Sequence, residues 1–157
     1  MQKITPMMWF DNQAEEAANH YVRIFKDARI LNVARYGEAG PGPRDSVMVV
    51  EFELHGQKFT ALNGGPQFKF SEAVSFVIGC KDQAEVDYYW EQLTADGGKP
   101  VQCGWLKDKF GFSWQVTPER AIELLSNSDP AAAARVAEAV YGMVKIDIAE
   151  LERVAKA

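Results

Sequence analysis

The sequence has few of the side chains that build disulfide frameworks or histidine metal centres. Its 157 residues include two cysteines, Cys80 and Cys103, and two histidines, His20 and His55. Two cysteines cannot form a disulfide framework. His20 falls within a helical pattern and His55 within a turn, so we expect surface or packed histidines rather than metal ligands. The thiols suit a reducing compartment.

Long apolar runs and an excess of basic charge are also absent. No stretch approaches the roughly 20 apolar residues that a membrane-spanning helix needs, and no signal-peptide core follows Met1. Lys and Arg number 17 against 22 Asp and Glu, which gives a net charge of −5. A protein that binds nucleic acid needs clustered Lys and Arg to contact the phosphates. We therefore expect a cytoplasmic protein with neither a membrane nor a nucleic acid as its partner.

Aromatic residues, by contrast, are plentiful, and the first part of the chain predicts a defined order of elements. Nine Phe, five Tyr and four Trp indicate a well-packed core that can include one aromatic-lined pocket. Ala17, Tyr21 and Ile24 share one face of a predicted helix, which Asp11 or Asn12 can cap. The predicted order is strand, helix and three strands, at residues 4–10, 14–25, 28–36, 46–54 and 57–62.

The same order returns after the break Asn63-Gly64-Gly65-Pro66. A strand at 74–80, a helix at 83–95 with Asp82 as its cap, and strands around 101–106 and 112–117 are predicted. A four-stranded sheet with one helix leaves one face uncovered, whereas two such units can bury their sheets together. We therefore predict an α+β protein whose paired βαβββ units, about 1–66 and 71–118, share one core. They would form a cupped, mainly antiparallel sheet, followed by C-terminal helices in residues 119–157.

The chain resembles a known superfamily in four phrases. These phrases are Ile4–Phe10 followed by Ala14–Ala17, Leu62–Phe70, Glu85–Trp90, and Cys103–Gly111 with Ser113–Gln115. Together they are similar to the PhnB-like branch of the vicinal oxygen chelate superfamily, which includes glyoxalases, bleomycin-resistance proteins and extradiol dioxygenases. Many members carry the label 3-demethylubiquinone 3-methyltransferase. The resemblance implies the paired βαβββ fold and a small-molecule ligand.

The resemblance also implies where a metal would be bound. Metal-dependent relatives use His, Glu or Gln from the first and last strand of each unit. In the second unit those positions correspond to Ser75 and Gln115, and in the first unit they fall near Ile4–Pro6 and near Asn63. None of these is a strong metal ligand, although amide oxygens can assist. We expect no tightly bound cofactor, and a divalent metal that enters with a substrate is the disfavoured alternative.

Other chemistries find little support in the sequence. S-adenosylmethionine is usually held by a Gly-rich loop between a strand and a helix. The Gly-rich segments 37–43 and 64–66 both lie between predicted strands. Cys103 has no histidine near it in the sequence, and Cys80 ends an apolar strand, so both are expected to be packed rather than nucleophilic. A glyoxalase- or dioxygenase-type enzyme and the methyltransferase of the label remain the alternatives to a binding protein.

The last predicted strand carries the polar side chains of a candidate pocket. Ser113, Gln115 and Thr117 share one of its faces, while Trp114 and Val116 face the core. Hydrogen-bond partners for a ligand are Asn63, Ser75 and Gln115, and candidate aromatic walls are Trp105 and Phe70. The segment around Phe70 could equally close the link between the units. We expect a small, partly apolar, oxygen-bearing ligand and a homodimeric protein.

Overall fold

A computed structural model describes residues 2–157 and divides the chain into two compact units. One unit ends at Lys69 and the other runs from Phe70 to Ala157. Each contains a strand, a helix and three further strands in chain order, and the second continues into three helices. The predicted α+β class and the repeated βαβββ order are therefore confirmed.

The first unit is a four-stranded sheet with one helix. Its elements are β1 (Met7–Phe10), α1 (Ala14–Ile24), β2 (Ala28–Arg35), β3 (Val47–Leu54) and β4 (Gln57–Asn63). The strand order is β1-β4-β3-β2, with β1 parallel to β4 and the other two pairs antiparallel. Strand β1 begins three residues later than predicted, and Ile4 is largely exposed.

Helix α1 contributes the apolar stripe that its sequence predicts. Tyr21 is fully buried and its ring stacks on Phe52 at a centroid distance of 6.1 Å, while Phe52 stacks on Phe59 at 5.4 Å. Alternate residues along β3 point to this core, which is why Glu51 between Val50 and Phe52 is exposed. The unit thus buries one face of its sheet under α1.

The start of α1 differs from the prediction. Gln13 is the N-cap and makes no side-chain capping hydrogen bond, so neither Asp11 nor Asn12 caps the helix. The Ala14 amide instead donates to Oδ1 of Asn63 at 2.8 Å. A residue 49 positions away in the sequence therefore satisfies a donor that helix starts leave open, and local sequence could not show this.

The second unit repeats the topology with shorter edge strands. Its elements are β5 (Ser75–Cys80), α2 (Gln83–Thr94), β6 (Lys99–Pro100), β7 (Trp105–Lys107) and β8 (Ser113–Pro118), with a short 3-10 turn at Ala95–Gly97. The strand order is β5-β8-β7-β6, and only β5 and β8 are parallel. Asp82 caps α2 as predicted, since its Oδ1 accepts from the Glu85 amide at 2.9 Å.

The single strand predicted at 101–106 is wrong. In the structure β6 ends at Pro100, before this range, and β7 begins only at Trp105, because the backbone turns at Cys103 and Gly104, which have φ values of 58° and 83°. A side chain at Gly104 would also meet the backbone oxygen of Val116 at 2.9 Å. The turn therefore requires glycine at this position, and it interrupts the strand before Trp105.

A buried carboxylate shapes the turn between β7 and β8. Asp108 is 2% exposed; its Oδ1 accepts from the amides of Phe110 and Phe112 at 2.9 and 3.0 Å. Its Oδ2 accepts from Nε1 of Trp114 at 2.9 Å. Trp114 lies in the core as predicted, in ring contact with Phe76 and Phe112. Asp108 thus ties the turn to the aromatic core.

Three helices follow β8: α3 (Glu119–Leu125), α4 (Pro130–Gly142) and α5 (Ile148–Ala155). They share a core made by Ala121, Leu124, Val136, Ile146 and Leu151. Gln83 at the start of α2 anchors this extension, because its Nε2 donates to the Ile146 carbonyl at 3.1 Å and its Oε1 accepts from the Ile148 amide at 2.9 Å. Within residues 2–157, none of the helices combines the length and apolarity needed to cross a bilayer.

Candidate functional site

The face of the second sheet opposite α2 carries most of its polar side chains. Strand alternation and pairing register place eight side chains on it, and we call this set the polar face: Ser75, Val77, Lys99, Trp105, Lys107, Ser113, Gln115 and Thr117. The intervening residues of β5 and β8, such as Ile78 and Val116, are buried on the other face. The predicted division of the last strand is therefore confirmed.

Two predicted site residues contact each other on the polar face. Nε2 of Gln115 donates to Oγ of Ser75 at 2.9 Å, and both side chains are half-buried. Oε1 of Gln115 and the hydroxyl proton of Ser75 remain available to a ligand, since no protein group among residues 2–157 engages them. The pair therefore offers one acceptor and one donor side by side.

Trp105 lies next to this pair. It is the register partner of Gln115 on β7, and Val77 is the register partner on β5. Trp105 is half-buried, and Val77 is exposed. An aromatic ring and an aliphatic side chain thus flank the Gln115 amide, which is the arrangement expected for a partly apolar ligand.

Residues paired in register across the strands form rows on the polar face, and sequence reasoning missed the row of Ser113 and Lys107 as a binding element. Ser113 pairs in register with Ser75 on one side and with Lys107 on the other. Lys107 forms an ion pair with Glu72, and the hydrogen bond from Lys107 is the main cause that lowers the pKa of the Glu72 carboxyl. Alternation along the strands could have indicated the face of Lys107, but only the register brings Lys107 beside Ser113.

The ring of Phe70 contacts the aromatic core of the second unit. Its ring packs edge-on against Phe112 at 5.1 Å, and Phe112 in turn contacts Phe76 and Trp114. Phe76 and Trp114 project from the face of β5 and β8 that Ser75 and Gln115 do not use. The structure therefore places Phe70 with the aromatic core of the second unit.

Asn63 belongs to the first unit, where its side chain is engaged on both sides. Besides accepting from Ala14, it donates through Nδ2 to the Val47 carbonyl at 3.1 Å. Its own carbonyl accepts from the Tyr36 hydroxyl at 2.6 Å. Asn63 lies in the wall of a cleft of about 560 Å³, with Asp11 among the other lining residues. Its contacts are those of a residue that joins β3, β4 and α1.

The side chains of the polar face do not fit a tight divalent metal centre. The two positions at which the family resemblance predicts metal ligands hold a hydroxyl and a carboxamide, which bond to each other. Neutral oxygens of this kind are weak ligands without carboxylate or imidazole partners. Across residues 2–157, no cluster of three or more His, Cys, Asp or Glu side chains has a metal-binding arrangement.

The chain also does not fit the usual cradle for S-adenosylmethionine. Its strand-to-helix connections, residues 11–13 and 81–82, contain no glycine. The glycines between strands have another explanation, because side chains at Gly40 or Gly42 would collide with the Tyr36 ring and one at Gly64 with the Trp9 ring. They allow close packing of backbone on aromatic rings.

Neither cysteine has the setting of a nucleophile. Cys80 is fully buried, and burial is the main cause that raises its pKa to about 12. A thiol with so high a pKa carries almost no thiolate at neutral pH. Cys103 is half-buried in the turn before β7, and its Sγ lies 3.8 Å from the Tyr141 carbonyl oxygen.

Comparison with known proteins identifies the family. The profile of the family described as 3-demethylubiquinone-9 3-methyltransferase matches residues 2–117. The PhnB protein from Bacillus cereus is 35% identical, with 74% of this chain and 99% of that chain covered and a TM-score of 0.68. The chain belongs to this family. The predicted resemblance to the PhnB-like branch is therefore confirmed.

More distant structures share the fold with this PhnB-like chain. Protein PA1353 from Pseudomonas aeruginosa is 19% identical over 76% of this chain and 98% of that chain, with a TM-score of 0.63. The fosfomycin resistance protein FosX from Listeria monocytogenes is 11% identical over 75% and 93%, with a TM-score of 0.50. A search of curated proteins gave no match. The PhnB-like chain thus has the fold of the glyoxalase and bleomycin-resistance superfamily.

The family match ends where the helical extension begins. Residue 117 lies in β8, and α3, α4 and α5 follow it. The extension is attached to the matched part through Gln83 and through an ion pair in which Lys145 Nζ lies 2.6 Å from Asp87 Oδ1. It therefore adds contacts to α2.

Proposed function

We propose that this PhnB-like protein binds a small, partly apolar, oxygen-bearing molecule on the polar face, without a tightly held metal. The hydrogen bond between Gln115 and Ser75 carries the proposal. It orients both side chains and leaves one acceptor and one donor beside Trp105. A ligand carbonyl or hydroxyl would complete these bonds while its apolar part contacts the indole.

The test is a thermal-shift and tryptophan-fluorescence screen with a metabolite set, divalent metals and S-adenosylmethionine. Ligands found in the screen should bind at least tenfold more weakly to Gln115→Met, which keeps the size of the side chain but removes both polar groups. Gln57→Met, at an exposed position in the first unit, is the matched control and should bind normally. Equal binding by both variants would place the ligand elsewhere.

Catalysis by a metal that enters with its substrate is the competing function. Calorimetry separates the two, because tight stoichiometric binding of Ni²⁺ or Zn²⁺ to the protein alone would contradict our proposal. A stabilisation by S-adenosylmethionine alone would favour the methyltransferase reaction of the family's description.

A cytoplasmic homodimer completes the proposal. The helical extension leaves large apolar side chains exposed, with Tyr141 at 71% and Ile122 at 54%, which supports a partner on this surface. The free cysteines suit a reducing compartment. Light scattering should give twice the chain mass of 17.5 kDa; the mass of a single chain would contradict the dimer. Cell fractionation tests the compartment.

A further inference from the structure

Ser113 is a buried hydroxyl without a partner. The residue is 1% exposed, and across residues 2–157 its Oγ is the one buried side-chain nitrogen or oxygen without a hydrogen bond. Buried polar groups are nearly always satisfied, and each exception calls for an explanation. A ligand atom that forms a hydrogen bond with the Ser113 hydroxyl would explain this exception.

The neighbours of Ser113 indicate the charge of that atom. In the pairing register Ser75, Ser113, Lys107 and Lys99 form one continuous row across the four strands. Adjacent strands lie about 4.8 Å apart, so side chains in one row are direct neighbours. The row therefore has two hydroxyls at one end and two cations at the other.

The pairing of Lys99 with Lys107 is unfavourable without an anion. Like charges directly opposite each other on antiparallel strands destabilise the pair. Glu72 offsets part of this repulsion through its ion pair with Lys107, but the Glu72 side chain is 61% exposed and the interaction is at the surface. Exposed ion pairs are weak and are readily exchanged for another anion. The oxyanion of a ligand can thus replace the Glu72 carboxylate beside Lys107.

We propose that the ligand of the polar face carries an oxyanion, and that this group lies over the Ser113 row. Lys107 neutralises it, with Lys99 adding positive potential, and the hydroxyls of Ser113 and Ser75 donate to its oxygens. The planar or apolar body of the ligand then lies along the next row, against Trp105. This inference rests on the proposed function and specifies its ligand as an organic oxyanion.

The test uses matched probes and NMR detection. Benzoate, phenyl phosphate, inorganic phosphate and neutral benzamide are titrated into the full chain at physiological salt, which screens charges farther than about 8 Å apart. Binding is followed at the Trp105 indole N–H signal, assigned with Trp105→Phe. We expect saturable shifts with the aromatic anions and none with benzamide. A preference between benzoate and phenyl phosphate identifies the oxyanion as carboxylate or phosphoryl.

Variants then separate charge from fold. Lys107→Met should weaken benzoate or phenyl phosphate binding at least tenfold, whereas Glu72→Gln should tighten it several-fold by removing the competing carboxylate. Lys145→Met and Asp87→Asn change a similar surface ion pair in the same unit, and should leave binding unchanged. Ser113→Ala should weaken binding and raise the melting temperature of the ligand-free protein, because an unsatisfied buried hydroxyl is removed.

The outcomes distinguish this inference from the proposed function. Benzamide binding as tightly as benzoate, with Lys107→Met unchanged, overturns the oxyanion and leaves the polar face as a binding site. Failure of all three anions to shift the Trp105 indole N–H signal also overturns the inference. In that case, a neutral ligand from the screen that binds Gln115→Met more weakly would still support the proposed function. Absence of both kinds of binding overturns both.

Discussion

Nε2 of Gln115 donates to Oγ of Ser75 across the parallel pair β5 and β8, at 2.9 Å. The family resemblance predicts metal ligands at these two positions, but the structure has two neutral side chains that bond to each other. A neutral hydrogen-bonded pair holds its geometry without a cation. The two strands therefore present a hydrogen-bonding surface at this position.

Replacing Asp108 should destabilise the second unit. Asp108→Ala removes the acceptor of three N–H hydrogen bonds in or near the core, so we expect a loss of about 3 kcal/mol in the free energy of unfolding. Urea denaturation, followed by tryptophan fluorescence and circular dichroism, measures it. Asp147→Ala removes a carboxylate that caps α5 at the surface, and should cost about 1 kcal/mol. Similar losses for both variants would contradict the central role of Asp108.

Asn63 should matter for stability more than for ligand binding. Asn63→Ala removes the acceptor for the Ala14 amide and the donor to Val47, which should cost about 2 kcal/mol. Asn63→Asp keeps the acceptor and adds a negative charge at a helix start, so it should recover part of the loss. Chemical denaturation of both variants, with exposed Asn19→Ala as control, tests this. A tenfold loss of ligand affinity in Asn63→Ala at unchanged stability would show a binding role instead.

The ion pair between Lys145 and Asp87 should make the stability of the folded protein depend on pH in the acidic range. The hydrogen bond from Lys145 is the main cause that lowers the pKa of Asp87 below its usual value of 3.8. A carboxyl whose pKa is lowered on folding stabilises the folded state above its unfolded pKa, and loses that contribution as the pH falls through the lowered value. The stability difference between the native sequence and Lys145→Met should therefore shrink as the pH falls below 3.8.

Thermal unfolding of the native sequence and of Lys145→Met, between about pH 2 and pH 7, measures this stability difference. This interval covers the pH range in which carboxyl groups titrate. The effect should be small, because the pair is at the surface. Lys156→Met, at an exposed position in the same unit, should show no such pH dependence. A difference that grows in acid would contradict the assignment.

The two cysteines should differ sharply in alkylation. Burial raises the pKa of Cys80 to about 12, whereas Cys103 is half-buried. Because thiolates are the reactive species, iodoacetamide should modify Cys103 in the folded protein and Cys80 only after unfolding. Mass spectrometry of tryptic peptides identifies the sites. Equal labelling of Cys80 and Cys103 under native conditions would show that the β5 core opens readily.

Much of the fold could be predicted, because it rests on local patterns. The apolar spacing in α1, the alternation along β3 and the cap at Asp82 each depend on residues within a few positions of one another. The start of α1 could not be predicted in this way, since its amide donor bonds to Asn63. Nor could the break at Cys103, because that turn depends on close packing of Gly104 against Val116.

The candidate site was predictable only in part, for the same reason. Alternation along the last strand placed Gln115 and Ser113 on one face, and the family resemblance singled out Ser75 and Gln115. Phe70 was proposed as a wall from its place in the sequence; its ring contacts Phe112 of the aromatic core, and its role as a wall stays a prediction. Lys107 was not recognised, because its strand is three residues long and carries a weak pattern.

The sequence by itself determined the order of elements and the identity of the buried faces, since these follow from periodicity and residue type along the chain. It also indicated the family, through the resemblance of four of its phrases to known members. Only the tertiary structure decided the register that places Lys107 and Ser75 on either side of Ser113, and left the Ser113 hydroxyl buried without a partner. The register of β5 against β8 depends on hydrogen bonds between strands that are distant in the sequence, and a shift of one residue would turn every side chain to the other face.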